Sequence, residues 1–89
     1  MNFPKAEKFA LCHEIKQNFY DLIKFIEMAN SVKSKRKVYA QEADGHLQTL
    51  KVLFRLSRNR RYISQGFYRE IDTRLTEINK LLSGFIRSA

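Results

Sequence analysis

Apolar residues recur every three or four positions along three stretches of the chain, and no stretch shows the strict alternation of a half-buried strand. In the first stretch this spacing predicts a helix over about residues 4–30, with Pro4 in the first turn, where its missing N–H needs no partner. The predicted core-facing stripe is Leu11, Ile15, Phe19, Leu22, Ile26 and Ala29.

A second helix is predicted over about residues 38–58. Its stripe is Tyr39, Ala43, Leu47, Leu50, Phe54 and Ser57. Gly45 interrupts this helix at a cost of about 1 kcal/mol relative to alanine, and we interpret it as a point of close helix packing. Before the helix, Ser31 to Lys37 has no apolar residue after Val32 and is predicted to be a connector.

A third helix is predicted over about residues 64–86, with Ser64 as its N-cap. Its stripe is Tyr68, Ile71, Leu75, Ile78, Leu82 and Phe85. Long helices joined by short connections pack nearly antiparallel. The pattern therefore predicts an all-α fold, an antiparallel helical bundle of three long helices.

The length and composition limit what this fold can do. A chain of 89 residues with 44% apolar and 29% charged residues is expected to form a single globular domain over residues 1–89. So small a domain has little room for a deep active-site cleft. No phosphate-binding glycine loop, nucleophile beside a base, or His-Glu helix signature occurs, so we predict a protein that is not an enzyme and has no catalytic residues.

Metals, cofactors and membrane spans are not expected either. Cys12 is the single cysteine and, with His13 and His46, gives no zinc-ligand spacing, so we predict no metal site, no cofactor and a buried free thiol at Cys12. No run approaches the roughly 18 apolar residues of a membrane helix, and residues 1–10 lack the apolar core of a signal peptide. We expect a soluble, cytoplasmic protein without a membrane partner.

Positive charge is concentrated in the middle of the chain. The net charge is +8, and residues 31–61 hold nine basic residues against Glu42 and Asp44, whereas residues 1–30 are neutral. Such clustering favours a surface for a polyanion such as RNA or DNA over a merely solvated face, although basic runs in connectors are often only solvated. The predicted nucleic-acid-binding residues are Lys33, Lys35, Arg36, Lys37, Lys51, Arg55, Arg58, Arg60 and Arg61.

Two tyrosines adjoin these cations. Tyr62 follows Arg60-Arg61 and Tyr39 lies close to Lys37, so either ring is a candidate platform for stacking a base. The alternative is a structural role, which is usual for an amphipathic residue at a helix boundary.

Four segments of the chain, taken in order, resemble the Avd-like four-helix-bundle family. They are Phe3 to Leu11, Leu47 to Leu56, Tyr62-Ile63-Ser64, and Glu77 to Arg87. The family includes the accessory variability determinants of diversity-generating retroelements and relatives encoded in intervening sequences of bacterial ribosomal RNA genes. The chain departs from the family's closing motif at Asn79 and Ser83, where glycines are usual, and at Phe85, where tryptophan is usual, but it keeps Gly84.

The resemblance implies a non-catalytic basic bundle that assembles as a homopentamer and binds both nucleic acid and the reverse transcriptase of its element. That reverse transcriptase copies a template RNA with errors at adenines, and the cDNA diversifies a target gene. On this reading Lys51 and Arg55 match basic positions of the family's central helix. The alternative is a structural or interaction protein of the ribosomal intervening-sequence type, with no retroelement role.

The resemblance also implies a further helix before Phe3-Pro4, which this sequence lacks. Three helices would leave part of the apolar seam uncovered, and exposed stripes of that size generally find a partner. We therefore expect self-association or association with the reverse transcriptase. A late start codon accounts for the absent helix equally well.

Overall fold

The computed structural model describes residues 3–88, with side chains from Lys5 to Arg87, and consists almost entirely of helix. Helix α1 spans Phe3–Ser31, α2 spans Arg36–Asn59 and α3 spans Gln65–Ser88, with a short 3-10 turn at Lys33–Lys35 between the first two. No strand occurs among the described residues. The predicted all-α fold and its three helices are confirmed, each bound within two residues. Met1, Asn2 and Ala89 of the predicted single domain lie outside the described residues.

Helix α2 provides most of the core. All of its predicted stripe is buried except the half-buried Tyr39, and small side chains at Ala40 and Ala43 let its neighbours approach closely. The buried core cluster consists of Leu22, Ala29, Ala40, Ala43, Leu47, Leu50, Phe54, Leu75 and Leu82. The stripes of α1 and α3 are less well covered, because Ile15, Phe19, Ile26, Ile71 and Ile78 are only partly buried.

The three helices form a flat layer with α2 in the middle. Helix α2 packs along both α1 and α3, whereas α1 and α3 hardly touch each other. The Cα atoms extend over 51 × 22 × 13 Å, and a width of 22 Å fits two interhelix spacings of about 9 Å. The radius of gyration of 14.7 Å exceeds the roughly 12 Å expected of a compact chain of this length. The flat shape explains why the stripe of α2 is buried more completely than the stripes of α1 and α3.

An apolar groove follows the side of α1 that α2 leaves open. At one end it forms a cavity of about 240 Å³, whose lining includes Leu11, Ile15, Phe54 and Ile63. At the other end it forms a cavity lined by Ile23, Ile26, Leu81, Phe85, Glu27 and Asn30. The predicted uncovered seam is therefore present in the described residues.

Cys12 lies at the edge of this groove and is exposed. The prediction of a buried thiol is wrong. The periodicity places Cys12 next to the buried Leu11, but burial there requires a neighbour on the open side of α1, and α2 covers only the other side.

A polar contact sets the register between α1 and α2. The Asn18 amide nitrogen donates to the carbonyl oxygen of Glu14 at 2.8 Å, which turns the Asn18 amide oxygen toward Nδ1 of His46 at 2.9 Å. Since that oxygen only accepts, His46 carries its proton on Nδ1. The His46 ring is also stacked on Phe25, with centroids 5.7 Å apart. Both helices are therefore fixed at mid-length by one buried contact.

The connection from α2 to α3 ends one helix and begins the next without a glycine. The Tyr62 N–H donates to the Ser57 carbonyl and the Arg61 N–H donates to the Arg58 carbonyl, both at 2.9 Å, which is the Schellman arrangement. Arg61 takes the left-handed conformation at φ 62°, where glycine is usual. The predicted N-cap is confirmed, because the Phe67 N–H donates to Ser64 Oγ at 3.0 Å.

Gly45 lies on an exposed part of α2, and a Cβ added there would meet nothing within 4 Å. The interpretation of Gly45 as a point of close helix packing is wrong. It assumed that the glycine faces a neighbouring helix, but in the flat layer no other helix lies against that side of α2.

We expect Gly45→Ala to stabilise the protein by about 0.5–1 kcal/mol, because alanine restricts the unfolded chain and favours helix without a clash. For a domain of this size that corresponds to a rise in melting temperature of roughly 2–8 °C, measurable by thermal circular dichroism. A fall in the melting temperature would contradict the open environment of Gly45. Ala43→Gly, in the buried face of the same helix, is the destabilising control.

Candidate nucleic-acid interface

The predicted basic residues form two groups that lie at opposite ends of α2. The first basic cluster lies in the 3-10 turn and the first turn of α2 and consists of Lys33, Lys35, Arg36 and Lys37. The second basic cluster lies at the end of α2 and in the connection that follows and consists of Arg55, Arg58, Arg60 and Arg61. From Lys37 to Arg58 the helix rises about 30 Å. The structure thus provides two basic ends, with the half-buried Lys51 on the helix between them.

In the first basic cluster, Arg36 is occupied by contacts within the protein. Its guanidinium donates to the carbonyl oxygens of Ala29, at 2.9 Å, and Asn30, at 3.3 Å, in the last turn of α1. The same group lies 5.5 Å from the ring centroid of Phe85 on α3. Arg36 therefore satisfies helix-end carbonyls and joins three helices, which favours a structural role.

The three lysines of this cluster are available to a ligand. Lys33, Lys35 and Lys37 are exposed, and none of them forms an ion pair with a residue in the described range 3–88. Their ammonium groups suit phosphate as point charges without a fixed geometry.

The second basic cluster is divided in the same way. Arg58 is half-buried, with its guanidinium 4.4 Å from the centroid of the Tyr68 ring, and it also donates to the Asn59 side chain. Arg60 pairs with Glu7 at 3.2 Å. In contrast, Arg55 and Arg61 are exposed and have no ion pair among the described residues. These two arginines are the side chains of the cluster best placed to fork onto a phosphate.

Tyr62 closes a small polar cluster between α1 and the α2–α3 connection. Its hydroxyl donates to Glu7 Oε1 at 2.6 Å, the same oxygen that Arg60 contacts. The hydrogen bond to Glu7, followed by burial and the Glu7 charge, raises the pKa of Tyr62 above its usual value of 10.0, while the Arg60 charge lowers it in part. The hydroxyl is thereby held neutral and engaged within the protein.

The geometry favours the structural reading of both candidate tyrosines. Tyr62 is half-buried and bonded to Glu7. Tyr39 is half-buried, with its ring centroid 6.2 Å from that of Phe25. Neither ring is presented openly beside the exposed cations.

Sequence reasoning missed two cations at the second basic end. The antiparallel pairing of α1 and α2 brings Glu7 to Arg60, so the neighbouring Lys5 and Lys8 also lie at this end. Both are exposed, and Lys8 lines the 240 Å³ cavity together with Tyr62. Counting charge by segment hid them, because Glu7 and Glu14 cancel their charge in the total. Assigning each charge to a side of the helix would have revealed them.

The described helices offer no stretch that is long and apolar enough to cross a membrane. Nor does the described part of the chain bring together three or more His, Cys, Asp or Glu side chains that could hold a metal ion.

These features define a class of small, basic, all-α proteins built as an open layer of helices. The chain matches the bAvd-like family model over residues 1–89 and belongs to that family. Comparison with curated proteins gives no match, and neither does comparison with solved structures.

We expect Tyr62 to be the tyrosine whose ionisation responds to Glu7. Of the four tyrosines, Tyr62 should ionise above pH 10 in wild-type protein, and Glu7→Ala should lower its midpoint by removing the hydrogen bond. Absorbance at 295 nm during an alkaline titration measures this, with Tyr62→Phe identifying the signal. Because the folded-state pKa is raised, the stabilisation from this contact is fully present below pH 10 and is lost as the pH rises through the pKa of Tyr62. Identical titrations of wild type and Glu7→Ala would contradict the contact.

Proposed function

We propose that this protein is a non-catalytic accessory protein of a diversity-generating retroelement, which binds template RNA or cDNA through its basic ends and docks onto the reverse transcriptase. The observation that carries the proposal is membership of the bAvd-like family over the whole chain. The retroelement role follows from what the resemblance implies of that family. The proposed mechanism of nucleic-acid binding follows from the charge and the solvent exposure of the basic side chains.

Electrostatic binding of a polyanion requires exposed cations but no shaped pocket. Each phosphate neutralised by Lys or Arg releases counterions, which gives an affinity that falls steeply with salt. Five exposed cations without ion pairs among the described residues suit this role: Lys33, Lys35, Lys37, Arg55 and Arg61. Arg36, Arg58 and Arg60 hold the fold around them, and Lys51 is half-buried.

The end of the open groove at which Ile23 and Leu81 are exposed supports the part of the proposal that concerns a protein partner. The chain exposes 6316 Å², whereas a compact monomer of 10.6 kDa exposes roughly 5,500 Å². The excess of about 800 Å² equals one partner's share of a standard interface. Further copies of this chain and the reverse transcriptase are the partners we propose for it, with a homopentamer as the assembly that the resemblance implies.

The first test separates binding residues from structural ones. We expect Arg55→Gln with Arg61→Gln to weaken binding of a single-stranded RNA and to lower the magnitude of the slope of log K against log salt by about 1.4, at roughly 0.7 per lost contact. Filter binding or fluorescence anisotropy at several salt concentrations measures this. The matched control is Arg74→Gln with Lys80→Gln, which removes the same charge from exposed positions along α3. Equal slopes for the two double variants would place the binding surface elsewhere.

The second test concerns assembly. Light scattering of the purified chain, alone and with the reverse transcriptase of a neighbouring retroelement, should give a discrete oligomer or a complex. Ile23→Glu, on the exposed rim of the groove, should reduce the assembly because it buries a charge at the contact. A monodisperse monomer at high concentration that binds neither partner would contradict this part of the proposal. A monomer that is also indifferent to RNA would favour the ribosomal intervening-sequence alternative.

A further inference from the structure

The first half of α1 has one purely cationic side, although residues 1–30 as a whole carry no net charge. At about 100° per residue, Glu7 and Glu14 lie about 160° and 140° around the helix from Phe9, whereas Lys5 and Lys16 lie within about 40° of it. Glu7 is also paired with Arg60, and it accepts a hydrogen bond from the Tyr62 hydroxyl. An anion that approaches Phe9 therefore meets lysines and no carboxylate of this half-helix.

Phe9 itself is unusually exposed for its size. Its exposed fraction is 67%, and it lines a surface cavity of about 330 Å³ together with Lys5, Lys8 and Cys12. Lys8 and Cys12 also line the neighbouring cavity of about 240 Å³, so the two cavities form one continuous surface. Lys16 stands at the far side of the second cavity, two helical turns from Lys8. No carboxylate lines either cavity.

An aromatic face between ammonium groups suits one ligand class in particular. Unpaired bases stack on exposed aromatic rings, while the phosphates on either side of the base need cations. The opposite end of the groove lacks this combination, because Glu27 lines it and no lysine does. The lysine-lined end is therefore the part of the groove that a polyanion carrying flat aromatic bases would occupy.

We propose that Lys5, Lys8, Phe9 and Lys16 form a site for unpaired nucleotides of single-stranded nucleic acid. A base stacks on the Phe9 ring, phosphates contact the three lysines, and the adjacent apolar cavity accommodates a neighbouring base. This inference rests on the proposed function, since it assigns a site to the nucleic acid that the basic ends attract. Arg61, which has no ion pair among the described residues, lies at the same end of the molecule and extends its positive field.

The test compares a stacking-deficient variant with a matched control. We expect Phe9→Leu to weaken binding of a single-stranded 20-nucleotide RNA by roughly 5- to 100-fold, to leave the salt slope unchanged, and to leave binding of the corresponding duplex unchanged. Phe67→Leu is the control, because Phe67 is also exposed, at 48%, but has Glu70 and no cation three or four residues away. Thermal circular dichroism verifies that both variants fold.

A gain-of-signal variant gives a second readout. The chain has no tryptophan, so Phe9→Trp introduces a single fluorophore at the stacking position. Single-stranded RNA should quench its fluorescence and should bind at least as tightly as to wild type. The RNA should also slow alkylation of Cys12 by a neutral maleimide more than duplex does, since Cys12 is exposed within the same surface.

The outcomes separate this site from the general function. If wild-type protein binds RNA with a salt-dependent affinity but Phe9→Leu binds as tightly as wild type, the site is overturned and the proposed function stands. Equal losses in Phe9→Leu and Phe67→Leu also overturn it. If wild-type protein binds neither RNA nor DNA at low salt, both proposals fail.

Discussion

The structure depends on a single helix that serves two neighbours. Helix α2 buries its predicted stripe from Ala43 to Ser57 because α1 packs on one part of that face and α3 on another. Neither outer helix can bury its own stripe in return, because α1 and α3 hardly meet. Because α2 is shared by both neighbours, it determines where the core lies and leaves the groove open. The length of the same helix separates the two basic ends.

The charged residues divide into those that hold this layer together and those that remain for a ligand. Arg36, Arg58 and Arg60 each contact a helix other than their own, through carbonyl oxygens, an aromatic ring and a carboxylate respectively. Lysines and arginines that are adjacent in sequence thus have different physical roles. Such a division matters for mutagenesis, because removing every cation of a basic run would change folding and binding together.

The features predicted from sequence were those with local causes. The stripe of α2 and the cap at Ser64 depend on helix period and on a side chain reaching its own backbone, and both are confirmed. Cys12 and Gly45 were misinterpreted because their surroundings depend on which sides of a helix acquire neighbours. The contacts of Arg36 also arise only when distant segments meet, whereas the cationic side of α1 follows from assigning each charge to a side of the helix. Counts of residue types along the chain do not show which distant segments come into contact.

The separation of the two basic ends also determines how long a polyanion must be to contact both of them. A polyanion that reaches both must span about 30 Å, which is roughly nine base pairs of duplex at 3.4 Å each. Shorter ligands engage one end at a time. A longer ligand that is already bound at one end makes the second contact within the same complex. Its affinity then rises because of the high effective concentration of the second end, without any new kind of interaction. Under the proposed function, length as well as charge is therefore a property by which nucleic acids would be discriminated.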